Sequence, residues 1–266
     1  MSIDLPPSVP HEPFLRLLLS LADDELMLGH RDSEWTGHAP ILEEDIAFSN
    51  IAQDELGHAL VWYSFYEQLT GKSPDVMSFD RVWDDFTCCR FVTYPMGDFA
   101  YSVVRQYLFD EAEQVRLAAF ESSSVRQLQD ISRKLIREEA YHLLHSKGLV
   151  ERLGDATEES HRRMQAAVDA AFPQSLGMFE ELESEEELTK AVVFPGNAEL
   201  RERWLHRITH VLNSATLTTP VHRQDGTHSL SVKPDFGGRK KSHTGHLKQL
   251  VGDLQQVYRL APDSKW

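Results

Sequence analysis

Glutamate and histidine recur three residues apart at Glu55/His58 and again at Glu139/His142, 84 residues further along the chain. A spacing of three on an α-helix points both side chains in nearly the same direction. Around each pair the apolar residues fall at helical spacings: Phe48, Ile51, Ala52 and Trp62 about the first, Leu135 and Ile136 before the second. Each pair therefore lies on a helix face turned toward a core. An ionised carboxylate on such a face is costly unless it is paired or bound to a metal.

A single Glu-x-x-His carries little information, since roughly one match arises by chance in an acidic helical chain with this many histidines. A third copy, Glu158/His161, opens a polar helix, where glutamate is favoured by the helix dipole. It reads as structural. The first two copies are set apart by their company. Glu25 stands on the stripe of Leu15, Leu18 and Ala22, thirty residues before Glu55; Asp110 stands near Val103 and Tyr107, twenty-nine before Glu139. Two helix pairs thus repeat one pattern in one phase, which predicts a metal-ligand set of Glu25, Glu55, His58, Asp110, Glu139 and His142. On the third helix the periodicity leaves alternatives: Glu111 lies on the more apolar stripe, and Glu113 is a weaker candidate. Four carboxylates and two imidazoles suit two ions of iron or manganese better than structural zinc, for which thiolates are expected.

The rest of the chain reads as helical throughout. A first helix carries Leu15, Leu18, Leu19, Ala22 and Leu26 and breaks at Trp35–Pro40. The second runs from Pro40 to Gly71, and a connection from Lys72 to Gly97 holds a short helix near Phe79 to Phe86. The third starts near Asp98. Ser122–Ser124 offers an N-cap for the fourth, which ends at Gly154. Further helices are expected over Thr157–Phe172, after a Ser184/Glu187 capping box, from an Asn197 cap to Asn213, and from His243 to Leu260. Pro220 to Lys241 is rich in turn formers. This predicts an all-α chain: a ferritin-like four-helix bundle with additional C-terminal helices. It is expected to form one domain over residues 1–266, with a core over about 11–154 and a helical extension over about 155–266.

A formal net charge of −15 argues against nucleic-acid binding. No apolar run is long enough for a membrane span, and the start from Met1 and Ser2 shows no signal peptide. The two cysteines, Cys88 and Cys89, are adjacent and read as packing residues of a cytoplasmic protein. Arg239, Lys240 and Lys241, with His243 and His246, form a local basic cluster, read either as a solvated turn or as a contact for an anionic group. Trp35, Trp62, Trp83 and Tyr63 read as core or interface anchors, and His145 as either solvent-facing or a support for the ligands.

Several stretches together resemble the phenylacetate-degradation oxygenase family. They are Glu34–Pro40, Asn50–His58, Arg105–Asp110, Arg137–His142, Lys147–Gly154, and a tail with Gly237–Arg239 and His243–His246 ending at Trp266. Length and tail are similar to the family's shorter, C-type (beta-type) subunit, not its longer catalytic A subunit. The resemblance implies a soluble multicomponent di-iron monooxygenase acting on phenylacetyl-CoA. In it the C-type chain supports the A subunit, alongside small subunits and a reductase that supplies electrons. It also implies Asp110 as the third-helix ligand. C-type chains are usually structural partners that have lost some ligands, whereas this sequence keeps all six. Catalysis by this chain itself therefore stands as an alternative, with ferritin-like iron storage or oxidation as a third reading.

Overall fold

The computed structural model describes residues 3–224, 227–261 and 264. The start at Met1 and Ser2 and the terminal Trp266 of the family tail lie outside the described residues, as do Asp225 and Gly226 of the turn-rich segment. The chain is all-α and of the ferritin-like class, with one small hairpin. It divides into two compact units: Leu15–Pro95 with Gly237–Trp266, and Ile3–Phe14 with Met96–Phe236. Among the described residues no helix is long and apolar enough to cross a membrane.

The first unit is built on two long helices, α1 (His11–Ser33, in this unit from Leu15) and α2 (Leu42–Thr70). Gly71 stops α2 in the left-handed conformation, at φ 76°, where its N–H reaches Glu67 O at 2.6 Å. Gly29 lets the two helices approach. A Cβ there would stand 3.0 Å from the Ala52 carbonyl oxygen and 3.1 Å from Glu55 Cβ. The connection after α2 holds a π-helical turn (Val76–Asp80) and a 3-10 turn (Trp83–Asp85) where a short helix was expected. The single C-terminal helix expected from His243 is two pieces, α8 (Gly245–Leu254) and α9 (Gln256–Leu260). Thr244 caps the first through its hydroxyl. Trp35, Trp62 and Tyr63 are buried as anchors, while Trp83 is half-buried.

The second unit centres on α3 (Phe99–Phe120), which is buried almost all round because it packs on α4 (Arg126–Asp155), α5 (Glu158–Ser175) and α7 (Asn197–Ser214). Asp98 caps α3, accepting from Tyr101 N at 2.9 Å. The cap of α4 is Val125, not a serine; Ser123 serves it indirectly, its hydroxyl accepting from Val125 N at 3.2 Å. Gly154 does not end α4. It lies within the helix, where a Cβ would meet the Ala215 carbonyl oxygen at 2.6 Å. Ser184, before α6 (Glu185–Lys190), has φ 61° and no side-chain cap bond, so the expected capping box is absent. Asn197 is the first residue of α7 rather than its cap. Its amide is drawn to Glu185 Oε2 at 2.6 Å and Glu180 O at 3.3 Å. Within the turn-rich segment, β1 (Val221–Gln224) pairs antiparallel with β2 (Thr227–Leu230), a hairpin too short to announce itself by alternation.

Candidate metal centre

Glu25 on α1 and Glu55 and His58 on α2 place their donor atoms within 4.8 Å of one another, and all three are buried. The local cause is steric. Glu55 follows Ala52 by one turn on the face that Gly29 opens, and Gly29 follows Glu25 by one turn. Gly29 is a signal that motif spacing does not register: a glycine one turn from a candidate ligand, inside an apolar stripe.

Asp23 and Asp24, immediately before Glu25, are also fully buried. Asp23 accepts from the Tyr63 hydroxyl at 2.6 Å, from Thr87 N at 2.6 Å and Oγ1 at 3.0 Å, and from the Arg81 guanidinium. Asp24 accepts from Cys89 N at 2.7 Å and holds Arg239 in a two-pronged pair, with Nη1 at 2.8 Å and Nη2 at 2.5 Å. Burial acts to lower the pKa of each arginine, but the facing aspartate, together with Tyr63 and Cys88 around Arg81 and with Cys89 and Cys88 around Arg239, outweighs it, so both guanidinium pKa values are raised. Burial, and then Asp23, push the Tyr63 hydroxyl up, so it donates as a phenol. Arg239 is therefore not part of a solvated turn, nor is it free for an anionic ligand. Lys241, by contrast, pairs with Asp85 at the surface, at 3.0 Å. Cys88 and Cys89 are free thiols, fully buried, with pKa values raised by that burial, in keeping with a packing role.

In the other unit Asp110 on α3 and Glu139 and His142 on α4 bring their donor atoms within 4.8 Å of one another, again all buried. His142 Nδ1 lies 3.5 Å from Glu139 Oε1. Asp110 is oriented by two donors, Gln106 Nε2 at 2.7 Å on Oδ1 and the Ser146 hydroxyl at 2.5 Å on Oδ2. Glu111 turns elsewhere and accepts from Arg207 Nε at 2.5 Å, while Glu113 pairs with Arg116. His145 is half-buried and is not one of the converging groups; the supporting residue one turn after His142 is Ser146. Tyr107, one turn before Glu111, is buried, and that burial together with Glu111 raises its hydroxyl pKa. The third motif is structural in its contacts: His161 Nδ1 donates to the Gly154 carbonyl at 2.8 Å, and Glu158 is exposed.

Each unit thus contains two carboxylates and one imidazole converging in a buried place. With a neutral imidazole, as metal ligation requires, such a triad carries a charge of −2, which cancels that of one divalent cation. Oxygen donors with one nitrogen fit iron or manganese. The donor chemistry of both triads fits a metal.

Comparison with known proteins agrees over the whole length. The sequence profile of the phenylacetic acid catabolic protein family matches residues 2–266. The chain is 33% identical over 249 residues to the C subunit of the 1,2-phenylacetyl-CoA epoxidase of Escherichia coli (strain K12), covering 93% of this chain and 97% of that protein. On both grounds the chain belongs to the phenylacetic acid catabolic protein family.

Proposed function

We propose that this chain is the C-type subunit of a multicomponent phenylacetyl-CoA epoxidase in aerobic phenylacetate catabolism, and that it holds two iron ions of its own. The observation that carries the subunit assignment is the whole-length match to the Escherichia coli C-type chain. On this reading the chain pairs with the longer ferritin-like A subunit, keeps it in a competent shape, and works with small and reductase subunits that deliver electrons. Free buried thiols suit the reducing cytoplasm.

The metal assignment rests on the two triads. Glu25, Glu55 and His58 would hold one ion, and Asp110, Glu139 and His142 the other. Iron held there would supply the redox chemistry needed to activate dioxygen. The chain's own part is to fix six donors, exclude bulk water by burial, and hold Asp110 through Gln106 and Ser146.

Retention of all six side chains favours a second reading, in which the chain is itself catalytic. The two readings part under one experiment. The purified chain is mixed with the A subunit, association is measured by ultracentrifugation, and turnover of phenylacetyl-CoA is followed in the assembled complex. Failure to associate overturns the subunit assignment. Full turnover with Glu55→Ala/His58→Ala overturns catalysis by this chain.

A further inference from the structure

Three consecutive buried acids, Asp23, Asp24 and Glu25, point from α1 in directions about 100° apart. The first two are tied to a single stretch of backbone, Thr87 to Cys89, through the amides of Thr87 and Cys89. Each is also met by an arginine from far along the chain, Arg81 for Asp23 and Arg239 for Asp24.

Arg239 reaches Asp24 because the residues before it are glycines. Gly237 has φ 128°, a conformation side chains rarely adopt, and a Cβ on Gly238 would stand 2.3 Å from the Cys88 carbonyl oxygen and 2.9 Å from Cys89 Cα. The strap is fastened on its far side, where Arg90 donates to Ser242 O at 2.7 Å and His243 to Phe86 O at 2.8 Å. Arg239 then spends its Nη1 on Ser20 O, Thr87 O and Asp24 at once, gripping α1 at two levels.

We infer that Arg239, carried by the Gly237–Gly238 strap, is a positioning residue for Glu25: by holding Asp24 it sets the rotation and height of α1 at the Glu25/Glu55/His58 triad. This rests on the proposed metal role of that triad. A helix fixed at two azimuths presents its third side chain at a defined place, and a metal ligand needs placement to about 0.5 Å. Removal of Arg239 leaves a buried, uncompensated carboxylate beside Glu25. The helix then turns to solvate Asp24 and carries Glu25 out of register.

The test loads the full-length, metal-free chain with Co(II) and reads the ions bound per chain, their affinities and the visible d–d absorption, which reports coordination. The wild type is expected to bind two. Arg239→Met is expected to weaken one ion by about 10–100-fold and to alter its absorption, leaving intact the ion held by Asp110, Glu139 and His142. Arg239→Lys keeps the charge but not the two-pronged geometry, and is expected to restore affinity in part. If Arg239→Met does not fold, Arg239→Lys and the pair Asp24→Asn/Arg239→Met decide on the same readout. Unchanged affinity and absorption in the folded variants overturns the inference, even if melting temperature falls. A wild type that binds no metal overturns the metal reading itself.

Discussion

Gly238 lies against Cys88 so closely that an added methyl group would meet the Cys88 carbonyl oxygen at 2.3 Å. The obstacle is backbone, which cannot swing aside as a side chain can. Gly238→Ala must therefore lift the strap or displace Thr87–Cys89. Overpacking of this kind costs about 1–3 kcal/mol. A drop in melting temperature of roughly 2–4 °C per kcal/mol is expected for a chain of this size, measured by calorimetry. Gly252→Ala, at a helical position with open space around the added carbon, is the control and is expected to hold or raise the melting temperature, since alanine is favoured over glycine in a helix by about 0.5–1 kcal/mol.

Much of the centre is legible in the sequence because a spacing of three and a core-facing stripe are properties of one helix alone. Glu55 with His58 and Glu139 with His142 need no knowledge of their neighbours. Between Asp110 and Glu111 the apolar stripe favours Glu111, and it is a poor guide there because α3 is buried on nearly every side. The distinguishing fact is Arg207, which takes Glu111 from ninety-six residues away. Asp23 and Asp24 escape notice in the sequence for the same reason: their partners, Arg81 and Arg239, are brought to them only by the tertiary fold. The local cap rule fails at Asn197, whose backbone N–H and side-chain amide are taken by Glu185 and the Glu180 carbonyl from twelve and seventeen residues away.

Asp110 and Glu111 can be separated by experiment. Asp110→Asn is expected to remove one bound metal per chain, read by elemental analysis, because it removes an anionic donor from the converging group. Glu111→Gln is expected to leave the metal count intact but lower stability, since Arg207 loses its partner. Loss of metal in Glu111→Gln with retention in Asp110→Asn would reverse the assignment.

Ser146 donates to Asp110 at 2.5 Å from a fully buried position. A hydrogen bond to a charged group contributes about 1.5–3 kcal/mol, so Ser146→Ala is expected to destabilise the metal-free chain on that order in urea titrations. The loss should shrink when Asp110→Asn is already present, because a neutral amide needs the hydroxyl less. Equal losses in both backgrounds would mean that the contact carries no charge-dependent energy.

His243 couples the strap to pH. Its Nε2–H donates to Phe86 O at 2.8 Å, while Nδ1 is buried with no hydrogen-bond partner among the described residues. Burial lowers its pKa below the ordinary 6.5; the Phe86 carbonyl and Asp23 pull the other way, and Arg90 and Arg239 add to the lowering. The sign follows from the two states. Below pH 6.5 the unfolded histidine takes up a proton that the folded one resists. The stabilisation from a neutral His243 is therefore fully present above that pH and is lost as pH falls toward the lower folded value. Carboxylates also titrate in acid, so the informative quantity is a difference. His243→Gln keeps an N–H for Phe86 but cannot take the proton. The wild type is expected to lose unfolding free energy faster than this variant as pH drops below 6.5, with the protection of the Lys240 amide (bonded to Gly237 O) against hydrogen exchange, relative to its intrinsic rate, falling in the wild type alone. Parallel pH profiles for the two proteins would exclude His243 as the group responsible.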